Sequence, residues 1–291
     1  MSSIQIKNVS KKFGKAEVLS QINLNFEENK IYGLLGRNGV GKTTLLNMIS
    51  NRIFPTKGEI LVDGDRISEK PAIVGKIFYM TEKNLYPEGM TVEKAYMWTH
   101  AFYDGFDMEK AIELSRKFGL DIKKKMKSLS TGYHTIFKTI TTLASNAPIM
   151  IFDEPILGMD ANHREIFYKE VLNSYIENPK TIILSTHIIE EIADLLERVV
   201  IINDESIMLD EEVAQLIEKA YTVSGREEKV NQYIQDKDCI HEGIMASFKS
   251  ATIKGSISEL DRELIESLEL EVARVELQKL FIYLTGTGGK W

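Results

Sequence analysis

Several features that would narrow the class at once are scarce or missing. One cysteine, Cys239, occurs in 291 residues, which excludes an internal disulfide and suits a reducing compartment. No apolar run approaches the ~20 residues needed to span a bilayer. The opening Met1-Ser-Ser-Ile-Gln-Ile-Lys7 has no apolar core of the kind a signal peptide carries. Any membrane role is therefore expected to act through a partner. Basic residues are not in excess: 36 Lys and Arg stand against 43 Asp and Glu, a formal charge of −7. The footprint of a nucleic-acid binder is missing, and no nucleic acid is expected as a partner. Repeats and low-complexity stretches are absent too. What remains is an ordinary composition, 43% hydrophobic and 27% charged, enough for one large domain plus a smaller one.

Against this plain background one motif stands out. Gly36-Arg37-Asn38-Gly39-Val40-Gly41-Lys42-Thr43 spells G-x-x-x-x-G-K-T, a phosphate-binding loop. Its context is the required one: Ile31-Tyr-Gly-Leu-Leu-Gly36 reads as a buried strand before it, and Lys42-Thr-Thr44-Leu-Leu-Asn-Met-Ile-Ser50 as a helix after it. Gly36, Gly39 and Gly41 let backbone N–H groups turn toward an anion, and the positive end of the helix dipole points the same way. Lys42 is expected to reach the β- and γ-phosphates of a nucleoside triphosphate. Asn38 and Thr44 join the same cradle, and the Thr43 hydroxyl is placed to ligate Mg2+.

A second cluster supplies carboxylates. Ile149-Met-Ile-Phe152 reads as a buried strand that delivers Asp153 and Glu154 to its polar end, where a βαβ sheet places its ligand. Alternation along a strand gives neighbours different directions, hence different jobs. Asp153 is assigned to Mg2+ through a water, and Glu154 to polarising the attacking water.

Leu129-Ser-Thr-Gly-Tyr-His134, Asp153-Glu-Pro155, Leu157-Gly-Met-Asp160 and Ser185-Thr-His187 follow the loop in that order. With them the chain resembles the ATP-binding cassette (ABC) ATPases from residue 3 to about 210. The resemblance implies an α/β fold, a P-loop NTPase of the ABC ATPase type with a RecA-like core, an N-terminal β-subdomain and a helical subdomain at about 86–140. The cassette domain then spans 1–212, and a small α+β accessory domain spans 213–291. By the same resemblance, Ser130 and Gly132 belong to the signature motif that contacts the γ-phosphate held by the other subunit. Asp160 is the D-loop acid, His187 the switch histidine, and Phe13 the aromatic that stacks on adenine. Read without the family, Ser130 is a helix N-cap, Phe13 a core residue, and His187 a cap or core histidine opening a helix through Ile188 or Ile189, Ile192, Leu195 and Leu196.

The departures are specific. The signature reads LSTGY where LSGGQ is commoner, and Leu157 replaces the usual D-loop serine. The Q-loop glutamine is missing. Aligning Ile77-Phe-Tyr-Met-Thr-Glu82 puts Glu82 at that position as a Mg2+ ligand, whereas the spacing to Leu85-Tyr86 favours Thr81. Between Tyr86 and Phe106 aromatic residues crowd along a helical pattern in two adjacent stripes, Ala95, Trp98 and Phe102 beside Val92, Tyr96, Thr99 and Tyr103. Two such stripes exceed what one surface helix buries, which leaves area for a membrane partner. Beyond Leu209, Asp210 is placed to cap a helix carrying Val213, Leu216 and Ile217. A strand at Tyr221, a helix from Glu227 to Ile234, strands within Ile240–Ile253, a helix from Ser258 to Leu268 and a closing helix at Leu277–Leu284 follow.

The implied function is the ATP-hydrolysing subunit of a bacterial transporter at the cytoplasmic face of the cell membrane. It pairs as a homodimer, or as a heterodimer with a second ABC ATPase, and docks on an integral membrane permease. The LSTGY signature and the Phe-Ile-Tyr-Leu ending resemble type 2 exporters of peptides or drugs, the Gram-positive phenol-soluble modulin exporters among them. Two other readings fit the motifs: a soluble ABC ATPase acting on ribosomes or DNA, and a regulatory nucleotide sensor. The absence of a second cassette or a long coiled coil opposes the first, and the intact Glu154 opposes the second.

Overall fold

The protein is described from a computed structural model covering residues 3–81 and 83–285. The chain divides into two compact units, residues 1–187 with 198–210, and residues 188–197 with 211–291. The sequence alone suggests a single cut at 212.

The first unit opens with β1 (Ile4–Phe13) and β2 (Ala16–Phe26), followed by β3 (Ile31–Leu35) and α1 (Lys42–Ile49). β4 (Lys57–Val62) and β5 (Asp65–Arg66) complete a four-stranded antiparallel sheet in the order β2-β1-β4-β5. A short α2 (Pro71–Val74) leads to β6 (Ile77–Met80). Three helices come next: α3 (Val92–Phe102), α4 (Met108–Lys117) and α5 (Thr131–Ala144). Thr91 and Asp107 cap the first two through their side chains, as short oxygen-bearing residues at helix starts do. β7 (Ile149–Asp153), α6 (Ala161–Glu177), β8 (Thr181–Ser185), β9 (Arg198–Asn203) and β10 (Ser206–Glu212) finish a six-stranded sheet ordered β10-β9-β3-β8-β7-β6.

β3, β7 and β8 pair in parallel and every one of their residues is buried, which is why they read as unbroken apolar runs. Tyr32, Leu34, Leu45, Leu46, Ile151 and Ile183 share one core with Ile4, Ile6 and Phe26 of the antiparallel sheet. The phosphate loop, Asp153 and Ser185 are carried by the carboxyl ends of these three central strands.

The second unit starts from α7 (Val213–Glu218) and continues with β11 (Ala220–Arg226), α8 (Glu227–Ile234), β12 (Cys239–Met245), β13 (Phe248–Lys254), α9 (Glu259–Ser267), β14 (Glu271–Arg274) and α10 (Leu277–Thr285). Its β-α-β-β-α-β run forms an antiparallel sheet ordered β12-β13-β11-β14, the ferredoxin-like arrangement. Ser258 opens α9 with a capping box, its hydroxyl accepting from Asp261 N while the Asp261 carboxylate accepts from Ser258 N.

Two expected helical features are absent. No α-helix follows His187. Ile192, Leu195 and Leu196 close three-residue turns instead, and only Ala193–Leu195 is helical, as a 3-10 turn. Ile188, Ile189 and Ile192 are β-branched and lose side-chain freedom in a helix. Ile189 and Ile192 bury completely without one, and Glu190 N donates to Gln278 Oε1. Asp210 does not cap a helix either. It lies inside β10 and accepts from Arg198 Nε at 2.5 Å, and this ion pair takes the oxygen a cap would use.

Candidate active site

The phosphate loop joins β3 to α1 by a path that only glycine permits at two points. Gly41, at φ 110°, starts α1, and a Cβ there would stand 2.8 Å from Leu19 Cδ2. A Cβ on Gly36 would meet the Ile202 carbonyl oxygen at 2.7 Å. No side chain caps α1, so its first N–H groups keep their donors for a ligand. Asn38 and Gly39 form the exposed tip, and Thr44 is half-buried behind it. Lys42 is buried, and its Nζ donates to Gly36 O at 2.7 Å and Arg37 O at 3.3 Å. Burial pushes its pKa below the usual lysine value, while the nearby Glu154 and Asp153 carboxylates pull it up.

Thr43 Oγ1 donates to Asp153 Oδ2 at 2.9 Å, and Tyr79 Oη donates to the same oxygen at 3.1 Å. Asp153 is buried, and its Oδ1 has no hydrogen-bond partner among the described residues. The same holds for Ser185 Oγ on the neighbouring strand. Buried polar atoms are nearly always paired, so two unpaired ones side by side mark a place with unused bonding capacity.

Glu154 follows directly, at φ 49°, a left-handed conformation that costs a residue with a Cβ about 1–2 kcal/mol. Its N–H donates to Ser185 O at 2.8 Å, which ties it to β8. Its Oε2 is held by His187 Nδ1 at 2.9 Å and by Thr186 Oγ1 at 3.4 Å. Oε1 carries no bond among the described residues. Lys42, Thr43, Asp153, Glu154 and His187 are thus brought together by three parallel strand ends.

Ser130, Gly132 and Asp160 form a different group. Ser130 is exposed and caps α5 by accepting from Tyr133 N at 3.3 Å. A Cβ on Gly132 would stand 2.4 Å from Gly158 O, and Thr135 Oγ1 donates to Leu157 O at 2.9 Å, so the start of α5 rests on the 157–160 loop. Asp160 caps α6, accepting from His163 N at 3.0 Å and meeting His163 Nδ1 at 2.9 Å. The backbone bond from His163 holds its carboxyl below the ordinary range. No side-chain hydrogen bond joins Ser130 or Asp160 to the Lys42–His187 group among the described residues. Phe13 is 52% exposed at the end of β1, not a core residue, with Lys11 Nζ 4.9 Å from its ring centroid. Glu82 lies outside the described residues. Thr81 is buried, and its carbonyl accepts from Lys138 Nζ.

Sequence reasoning missed Tyr79 and Thr186. Each touches a carboxylate only because β6 and β8 flank β7 in register, a relation that no local spacing encodes.

A family model described as ABC transporter matches residues 19–157. The ABC transporter ATP-binding protein YtrB of Bacillus subtilis is 31% identical over 204 residues, 70% of either chain. This chain belongs to the ABC transporter ATP-binding subunits. NatA of B. subtilis, another ABC transporter ATP-binding protein, is 30% identical over 76% of this chain and 90% of its own. Relatives of this ABC ATPase also include proteins named for import, such as the osmoprotectant import protein OsmV of Salmonella typhimurium, 29% identical. Among solved structures, an ATP-binding subunit of an ABC transporter superposes with a TM-score of 0.67 at 21% identity, over 73% of this chain and 91% of that one. The dimeric bacterial cassette MJ0796 superposes with 0.64 at 25% identity, over 72% and 98%. The fold is that of ABC P-loop NTPases, and the chain is an ATPase.

The cassette also carries an apolar groove of about 380 Å³ whose walls include Leu85, Tyr86, Trp98, Phe102 and Tyr103. The two aromatic stripes divide between inside and outside. Val92, Tyr96 and Thr99 are buried, with Tyr96 stacked on Phe137 at 5.5 Å, whereas Trp98 is 50% and Phe102 81% exposed. No helix among the described residues is long and apolar enough to cross a membrane.

Proposed function

We propose that this ABC ATPase is the motor of an exporter of peptides or drugs, working as a pair of copies on an integral membrane permease at the cytoplasmic face of the membrane. The observation that carries the catalytic part is the convergence of Lys42, Thr43, Asp153, Glu154 and His187 on three strand ends, with polar atoms left unpaired there.

Lys42 and the α1 amides, with Asn38, Gly39 and Thr44 around them, bind the β- and γ-phosphates. ATP draws the Lys42 ammonium from the loop carbonyls to phosphate oxygens, where charge-assisted bonds are stronger. Thr43 and Asp153 present hard oxygen donors, and the orphaned Asp153 Oδ1 suits a Mg2+ shell that keeps several waters. Mg2+, when bound, neutralises charge building on the phosphates. Glu82, or Thr81 beside it, serves that shell from the Q-loop. Glu154 is anchored through Oε2, which leaves Oε1 to accept the proton of the attacking water. His187 then donates from its other ring nitrogen to the γ-phosphate. Ser130, exposed, and Gly132, half-buried at the start of α5, complete the site of a second copy, with Asp160 at the seam and Phe13 against adenine. Because ATP then contacts both copies only when they close, it favours closure.

The groove beside Trp98 and Phe102 receives the permease. The export direction rests on the LSTGY signature and the closing helix at Leu277–Thr285, since the relatives include import proteins. Glu154→Gln tests the base. Because the amide keeps the shape but cannot take the proton, hydrolysis falls by ~10^2 to 10^4-fold with ATP binding retained. Turnover near that of the wild type overturns the assignment.

A further inference from the structure

Three segments of the cassette meet on one side chain. His163 lies in the first turn of α6. Its Nδ1 stands 2.9 Å from Asp160 Oδ2, and its Nε2 stands 3.2 Å from the Phe118 carbonyl oxygen. A carboxylate and a carbonyl only accept, so the two bonds together require an N–H on each ring nitrogen, the imidazolium form. Phe118 closes α4, which sets its carbonyl at the negative end of a helix, a place that favours a cation. The Phe118 ring lies parallel to the imidazole, 5° between planes with centroids 6.3 Å apart. Tyr133, from the first turn of α5, stands edge-to-face with it, at 68° and 6.0 Å. Tyr133 is the residue that replaces the commoner glutamine of the signature, and this packing gives the replacement a use. The Asp160 side chain is otherwise open, 66% exposed against 19% for His163.

We propose that His163 is a positioning residue for ATP turnover, clamping the Asp160 carboxylate to the end of α4 and the start of α5 so that signature and D-loop meet a second copy in one fixed geometry. The inference rests on the reading of Ser130 and Asp160 as groups at the seam of two copies. The 157–160 loop is fastened to α5 through Thr135 Oγ1 and Leu157 O, but that bond fixes backbone and leaves the Asp160 carboxylate free to turn. His163 removes this freedom. Holding a group that acts only in the closed pair raises turnover, not affinity. The phosphate loop shares no hydrogen bond with His163 among the described residues, so ATP binding by a single copy is independent of the clamp.

Steady-state ATPase measurements and calorimetry on the full chain test it. H163F keeps an aromatic ring beside Phe118 and removes both N–H groups. Its kcat falls about tenfold, while ATP binding stays within about twofold of wild type. D160S keeps an oxygen to cap α6 and removes the one that His163 holds, and its kcat falls at least as far. Because both changes break the same contact, the double variant is no slower than D160S alone, within about twofold, whereas independent losses multiply. H163R, a planar cation with several donors, recovers kcat to within about threefold of wild type. H163Q carries donors on one nitrogen only, loses an intermediate amount, and stands in for H163F if circular dichroism finds that variant unfolded. A ring that merely stabilises α6 would lower the melting temperature without slowing the folded chain. A folded H163F with wild-type kcat overturns the proposal, as do losses that multiply in the double variant, a loss in ATP affinity in place of kcat, or a folded H163R as slow as H163F. D160S with wild-type turnover overturns both the clamp and the place of Asp160 at the seam, and Glu154→Gln reports on the base independently of either.

Discussion

The two units treat their buried polar groups in opposite ways. In the second, Tyr221 and Tyr233 hydroxyls bond each other at 2.9 Å, Lys237 and Ser258 close on Asp261, and Lys249 meets Asn231 and Glu242. In the first, Asp153 Oδ1 and Ser185 Oγ are buried without partners, Lys42 is withdrawn from water onto loop carbonyls, and Glu154 sits in a left-handed conformation. A region that only has to fold satisfies itself, whereas a region that must bind holds bonding capacity in reserve at some cost in stability. Among the described residues the accessory unit has no such reserve.

The largest test of this contrast is Asp153→Asn. The amide oxygen still accepts from Thr43 and Tyr79, but the charge is gone, so ATP turnover falls by about 100-fold while the melting temperature stays level or rises, since a buried carboxylate loses its charge. A clear drop in melting temperature contradicts the idea that this group is unsatisfied without ligand. Next in size is Trp98→Ala in the groove. An exposed aromatic anchor is worth ~2 kcal/mol, so co-purification with the membrane partner weakens by about 30-fold with ATP affinity unchanged. Undiminished partner capture removes Trp98 from the docking surface, and loss of the far-ultraviolet spectrum would assign it to packing.

The smallest effect mirrors the first. Lys237 and Ser258 hold the Asp261 pKa down at about 2, below the ~4 of an unfolded aspartate. Its stabilisation is complete above pH ~4 and is lost as pH falls toward about 2. Asp261→Asn costs about 1 kcal/mol at neutral pH, lowers the melting temperature by a few degrees and flattens the acid dependence between pH 5 and 2.5, leaving ATP affinity as it was. An acid profile identical to wild type shows that the pair contributes nothing.

Which parts of this were readable from sequence follows from how far apart the cooperating residues lie. The phosphate loop is local, so eight residues and their two flanks carried its strand, its turn and its helix. The α8 and α9 starts were equally local, the latter because Ser258 and Asp261 are three apart. Tyr79 reaching Asp153, and Thr186 reaching Glu154, depend on strand register across 74 and 32 residues, and nothing nearby announces it. The misread helix after His187 shows the reverse error. Its isoleucines have helical spacing, but their branching and burial favour irregular turns. Asp210 looked like a cap because the sequence does not show Arg198 beside it. The edge pairing of β14 with β11 joins residues about fifty positions apart, so that edge was invisible before the sheet was.

The central claim is that the first unit holds half of each ATP site and a second copy supplies the rest. Mixing Ser130→Arg chains with Lys42→Ala chains gathers both lesions in one composite site and leaves the other intact. The account predicts that the mixture hydrolyses ATP although neither chain does alone. Heterodimers demonstrated by cross-linking, yet as inactive as either parent, would contradict it.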